Sequence, residues 1–361
     1  MVERSRGRAR RLRRVETAAT AAFVSALLAL SGGQPTPAAA ATFAPASQPG
    51  PGLTVSPEQA RRALRCSPGL RKAARTPVLL SPGTGVTGAG QYRYTWQPAL
   101  DRLGIPWCTL TPPHMTLGDI QVTGEYLVAA IRSMHERAGR RIAILGHSQG
   151  GMSMRWALRF WPDTRAMVAD VIGLAGNNHG SAWQGRINAT ACAAGCPPVN
   201  LQQVVGSRFL RALNSRAETF RGIAYTEITT DHDEVLQNVP PACTSCLSTG
   251  SGKIANVSVQ RICSSDPTDH AGLATDLVAY RLVLDALRHS GPARASRIPR
   301  SVCGQLADRA ANPLIAQTPG PKDTRGLQLV VCGAPCNAIG APMVTREPTL
   351  ARYVYARPRS G

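Results

Sequence analysis

The pentapeptide Gly146-His147-Ser148-Gln149-Gly150 constrains this chain more than any other stretch. It reads G-x-S-x-G, the pattern of a serine lifted onto a sharp turn between a strand and a helix. In a chain with 34 glycines the pattern alone is weak, so its flanks decide. Before it, Arg141-Ile142-Ala143-Ile144-Leu145 is a short apolar run that predicts a buried parallel strand. After it, Met154, Ala157, Leu158 and Trp161 recur at helical spacing until Pro162 stops the run. The glycines fit the same reading, because so tight a turn leaves no room for neighbouring side chains.

Other segments supply what such a serine needs. Pro77-Val78-Leu79-Leu80 reads as a strand that breaks into Ser81-Pro82-Gly83-Thr84-Gly85-Val86-Thr87-Gly88. A Gly/Thr loop after an early strand can offer N–H groups and a hydroxyl to a developing negative charge, each donor worth about 3 kcal/mol. A phosphate-binding loop is disfavoured, because no Gly-Lys-Ser/Thr follows. Residues 119–139 predict an amphipathic helix with Leu127, Ala130, Ile131, Met134 and Ala138 on one face and Gly139 as its stop. Residues 171–175, 223–229 and 256–262 read as strands. A last helix carries Leu273, Leu277, Tyr280, Leu284 and Leu287 and ends at Gly291-Pro292. Strands alternating with helices predict an α/β fold, a mostly parallel central sheet with helices on both faces.

An elbow serine needs a histidine base and an orienting carboxylate, in the chain order Ser, Asp or Glu, His. His179 follows the elbow too soon, and His289 suits a helix C-terminus. His270 follows Asp266-Pro267-Thr268-Asp269 after a strand, where a catalytic histidine should hang. For the acid, Asp231, Asp233 and Glu234 in the loop after strand 223–229 are all candidates on position.

Composition bounds the setting. Seven arginines, the apolar stretch 18–30 and Ala38-Ala39-Ala40-Ala41 make residues 1–41 an expected secretory signal peptide, too short in its apolar part to span a bilayer. Residues 42–58, rich in Pro and Ala, read as a flexible lead-in. The net charge is +20, almost all of it from arginine, since Lys72, Lys253 and Lys322 are the only lysines. Aromatic residues are 5% with no basic–aromatic stripe, which argues against nucleic-acid binding. Ten cysteines behind an export signal favour disulfides. Cys192/Cys196, Cys243/Cys246 and Cys332/Cys336 are close pairs. Zinc is disfavoured, because only Cys243/Cys246 has a ligand spacing and no matching knuckle follows.

Five motifs in one order resemble the α/β-hydrolase lipases related to lipase B of Candida antarctica. They are Pro82-Gly83-Thr84-Gly85, Gln121-Val122-Thr123-Gly124-Glu125-Tyr126, Ser148-Gln149-Gly150-Gly151, Asp233-Glu234-Val235-Leu236-Gln237 and Asp269-His270-Ala271-Gly272. The resemblance runs from about residue 66 to 291, with a fainter echo at Glu347-Pro348 and 355–358, and suggests a bacterial, secreted member. It implies a single disulfide-stapled α/β-hydrolase domain over 59–361. It implies a triad of Ser148, Asp233 and His270, and an oxyanion hole from Thr84 and the Gln149 N–H. It also implies Cys66–Cys108 and Cys263–Cys303 bridges, and a substrate pocket walled by His147, Asn177, Val235 and Leu236. His147 stands where the yeast enzyme has a Trp, Asn177 where it has an acid, and Arg346 where the family has a cysteine, which leaves Cys332 to pair with Cys336. Segment 181–198 matches a mobile helix over the yeast site, and Cys192–Cys196 is expected to clip it.

The resulting expectation is a secreted, monomeric serine hydrolase of carboxylic esters, lipase or esterase, with acylglycerol-type substrates and no cofactor or metal. Its partner would be a lipid or other ester, met in some cases at a lipid–water interface. An amidase or peptidase with the same triad and a polyester- or cutin-type esterase are the alternatives. A non-catalytic surface protein would be expected to show a broken triad, and this one is complete.

Overall fold

Among the described residues, seven strands form one sheet. In chain order they are β1 (Leu64–Cys66), β2 (Val78–Ser81), β3 (Trp107–Leu110), β4 (Ile142–His147), β5 (Val168–Leu174), β6 (Ala224–Thr229) and β7 (Lys253–Ser258). Across the sheet the order is β1-β3-β2-β4-β5-β6-β7. β1 runs antiparallel to β3, and every other pairing is parallel. From β2 the chain steps one way to β3, then returns to β4 and proceeds the other way. That reversal makes β2/β4 a topological switch point, and ligands bind outside the carboxyl ends of strands at such points. The loops after β2 and β4 are the Thr84 loop and the Ser148 turn. This computed structural model describes residues 42–71, 73–238, 242–315 and 340–357. The expected signal peptide at 1–41 and the Cys332/Cys336 pair lie outside the described residues.

Side chains alternate across the strands and feed two cores. Leu79, Ile142, Ile144 and Val171 face one core, with helices α1 (Ile120–Ala138) and α2 (Gln149–Phe160). Val78, Leu80, Ala143, Leu145 and Ile172 face the other, with the C-terminal helix Leu277–Arg288. Helices thus cover both faces, as a parallel sheet requires. α1 begins at an N-cap, Asp119, that accepts from Gln121 N–H, and ends on Gly139 at φ 66°. That left-handed C-cap is the reason a glycine stands there.

Several elements differ from the sequence reading. β7 ends at Ser258, and Val259–Arg261 is a 3-10 turn whose N-terminus the Ser258 hydroxyl caps. Leu273 belongs to a separate 3-10 turn, because Asp276 caps the last helix three residues later. Strands β1 and β3 span only three and four residues, too few to show a period. Residues 42–58 are held rather than loose. Ala44 N–H bonds Val354 O at 2.8 Å, Val55 N–H bonds the Glu125 carboxylate at 3.1 Å, and Ser56 caps helix Pro57–Ala63. The motif 121–126 is explained by these clasps: Glu125 holds the N-terminal lead-in, and the Gln121 side chain bonds Thr349 O and Ala351 N–H of the C-terminal strap. Composition could not reveal this, because Pro- and Ala-rich chain orders when distant side chains supply its hydrogen bonds.

Four disulfides stand among the described residues: Cys66–Cys108, Cys192–Cys196, Cys243–Cys246 and Cys263–Cys303. Cys66 and Cys108 are direct partners across β1 and β3. No helix among the described residues is long and apolar enough to cross a membrane.

Candidate active site

Ser148 sits between β4 and α2 at φ 54°, ψ −122°, a strained conformation for a non-glycine residue. Such strain costs about 1–3 kcal/mol and persists where the surroundings enforce it. Here the glycines enforce it. A Cβ on Gly146 would lie 2.2 Å from the Gly150 carbonyl oxygen, and one on Gly150 would lie 2.1 Å from that of Ser81. The elbow therefore closes onto the end of β2 with no room for side chains, and the Ser148 hydroxyl is pushed out at the switch point.

The structure brings the three expected side chains together from loops 85 and 37 residues apart in sequence. His270 Nε2 lies 3.0 Å from Ser148 Oγ, and His270 Nδ1 lies 3.0 Å from each Asp233 carboxylate oxygen. The Asp233 side chain is 1% exposed and that of His270 8%. Three further donors face the carboxylate: Val235 N–H at 3.0 Å, Leu236 N–H at 2.7 Å and the Asn238 amide at 3.0 Å. The other acids in this loop point elsewhere. Asp231 accepts from Ser258 Oγ, and Glu234 accepts the His270 backbone N–H at 3.0 Å. His179, set aside in the sequence, meets Glu218 at 2.6 Å instead.

The Thr84 loop lies beside this group. Neither Thr84 N–H nor Gln149 N–H has an acceptor among the described residues, so both are available to an oxyanion. The Thr84 hydroxyl donates to Gln149 Oε1 at 2.8 Å and accepts from Gln203 Nε2 at 3.0 Å. Its proton is therefore turned to Gln149 and would have to rotate to serve an oxyanion. The Gln149 amide in turn donates to Thr116 O at 3.2 Å. Thr116, with φ 64°, ends a run of three left-handed residues that starts at His114.

Of the expected pocket residues, Asn177 is buried, donates to Gln203 O at 3.1 Å and sits at the turn whose N–H approaches Ser148 O. Leu236 is buried in the second core, whereas Val235 is half-buried and its carbonyl accepts from Ser181 Oγ. His147 is buried, and its Nε2 donates to the His270 carbonyl at 2.8 Å. Burial, followed by the nearby His270, pushes its pKa down to about 4. Sequence reasoning missed Gln203 and the bonding of Glu234. No local pattern marks a glutamine 55 residues past Ser148.

Segment 181–198 follows β5 and begins as helix α3 (Ala182–Ala191), whose only buried residue is Gln184. Ser181 caps its start, and after the Cys192–Cys196 bridge, Cys196 pairs through two 2.9 Å backbone bonds with Val344. Both ends of this segment are thus fastened. Cys192→Ser is expected to raise activity on long-chain over short-chain p-nitrophenyl esters; an unchanged ratio removes the clip.

Comparisons with known proteins show what the chain is similar to. A family model described as Lipase (class 2) matches residues 126–271. Lipase B of Pseudozyma antarctica is 31% identical over 301 residues, 82% of this chain and 83% of that one. A triacylglycerol lipase of Pseudomonas fragi is 28% identical over 117 residues, 31% of this chain and 38% of that one. The crystal structure of Aspergillus fumigatus lipase B superposes with a TM-score of 0.71 at 26% identity, covering 84% of this chain and 73% of that one.

Proposed function

The chain belongs to the lipase B family, and from that premise we propose that it is a secreted lipase or esterase using Ser148, His270 and Asp233 as its triad. As a family member it is a carboxylic ester hydrolase. The observation that carries the mechanism is the unbroken line of contacts from Asp233 through His270 to Ser148 Oγ, each 3.0 Å long.

Asp233 accepts the Nδ1 proton, which leaves Nε2 as the bare nitrogen that takes the Ser148 proton. The alkoxide attacks the ester carbonyl, and the tetrahedral oxyanion rests on Thr84 N–H and Gln149 N–H. His270 then gives its proton to the leaving alcohol, and an acyl-enzyme remains. Water then attacks the acyl carbon as His270 takes its proton, and the second tetrahedral intermediate collapses: the bond to Ser148 Oγ breaks, His270 returns the proton to that oxygen, and the carboxylic acid leaves. The Asp233 carboxylate stabilises the imidazolium at both stages. Its two backbone N–H bonds fix the orientation of the carboxylate without competing for His270.

Four disulfides among the described residues suit an oxidising compartment and support secretion. The proposed substrates are acylglycerol-type esters, taken by a monomer at or near a lipid–water interface. The deciding measurement is kcat/KM across p-nitrophenyl esters of rising acyl length, soluble and emulsified. A gain on emulsified long chains is expected of a lipase, and a steady decline with length would limit the protein to short, soluble esters.

A further inference from the structure

The backbone of His270 is gripped from both sides, and the two side chains that grip it adjoin the other two members of the triad. His147 precedes Ser148, and its Nε2 lies 2.8 Å from the His270 carbonyl oxygen. A carbonyl can only accept, so this ring nitrogen carries the proton and donates. Glu234 follows Asp233, and its Oε2 accepts the His270 N–H at 3.0 Å. Among the described residues these are the hydrogen bonds made by the backbone of residue 270 itself. His270 also sits outside regular structure, between the 3-10 turn Val259–Arg261 and the 3-10 turn Gly272–Thr275.

A histidine on an irregular loop is placed only as well as its own peptide units are placed. Its ring contacts to Ser148 and Asp233 orient the imidazole, but they cannot fix the Cα from which the ring hangs. We propose that His147 and Glu234 are positioning residues that clamp the His270 backbone and so set Nε2 against Ser148 Oγ. This rests on the triad reading above. The covalent paths are short: residue 147 is bonded to the nucleophile and residue 234 to the acid. A displacement of either partner therefore carries the base with it, and the spacing of the three groups is preserved. The His147 ring lies 5.1 Å from that of His270. Its buried site keeps it neutral, with its pKa pushed down to about 4, so it places no second cation beside the imidazolium formed in each half-reaction.

The test compares His147→Leu, His147→Gln, Glu234→Ala, Glu234→Gln and the double variant His147→Leu/Glu234→Ala on a soluble p-nitrophenyl ester. Active sites are counted by titration with a serine-directed phosphonate, so that misfolded protein drops out of kcat. His147→Leu and Glu234→Ala are expected to lower kcat per titrated site by about 10- to 100-fold, the penalty of a small misplacement, with KM little changed. The glutamine variants are expected to recover most of that loss. Glutamine at 147 keeps an N–H donor near the imidazole Nε2 position, and glutamine at 234 keeps an acceptor. Because both bonds hold one residue, the double variant should fall by less than the product of the single losses. An unchanged kcat in both His147→Leu and Glu234→Ala overturns the clamp. So does a loss confined to KM, or glutamine variants no better than the leucine and alanine ones. Glu234 is solvent-exposed, so its variants remain informative if a substitution at buried His147 impairs folding. Ser148→Ala runs in parallel: activity surviving there overturns the triad reading itself, whereas a dead Ser148→Ala beside a normal His147→Leu and Glu234→Ala overturns only the clamp.

Discussion

Ester hydrolysis by Ser148→Ala is expected to fall by about 10⁵- to 10⁶-fold in kcat, the scale on which loss of a triad nucleophile is felt. The side chain makes one hydrogen bond, to His270 Nε2, and its removal leaves the elbow glycines and the packing beneath them untouched. Alanine meets the same steric penalty at φ 54° as serine, so the fold is expected to survive and the loss to be chemical. A residue of activity from Thr84 and Gln149 N–H groups acting on bound ester should remain. Turnover of a p-nitrophenyl ester, with phosphonate labelling as the count of nucleophiles, measures both. Labelling of the variant at full stoichiometry would place the nucleophile elsewhere.

Asp233→Asn is expected to cost about 10⁴-fold in kcat, while Asp231→Asn stays near the parent. The reason lies in the donors around the carboxylate. Val235 N–H and Leu236 N–H both point at Oδ1, so an asparagine there would turn its oxygen to them and its NH₂ toward His270 and Asn238. His270 Nδ1 would then have to accept, its proton would move to Nε2, and the base facing Ser148 would be lost. Asp231 instead accepts from Ser258 Oγ and never reaches the imidazole. Equal losses in the two variants, measured as kcat at saturating ester, would remove Asp233 from the mechanism.

Much of the framework was legible in the chain. The strand before Ser148, the helix after it and its stop at Pro162 all leave a local periodic signature, and α1 falls within a residue of its expected bounds. Edges were less legible: β1 and β3 are too short to show a period, and Asp276 restarts the last helix four residues after Leu273 by capping it. The lead-in 42–58 misled for a different reason. Its order comes from Glu125 and the strap around residue 354, about 70 and 310 positions away, which composition cannot see.

The same division runs through the site. Sequence alone singled out Ser148 as the candidate, because an elbow demands glycines at set positions and those demands are local. It placed His270 on a strand-end loop, and left Asp231, Asp233 and Glu234 open until the resemblance pointed to Asp233. Which of these acids reaches the imidazole, the turning of the Thr84 hydroxyl toward Gln149, and the grip of His147 and Glu234 on the His270 backbone were decided by the tertiary structure. A hydrogen bond depends on positions to a few tenths of an ångström between segments that may be 120 residues apart. Periodicity carries each segment to the correct end of its strand, and only the packing of the sheet and its loops fixes which donor faces which acceptor there.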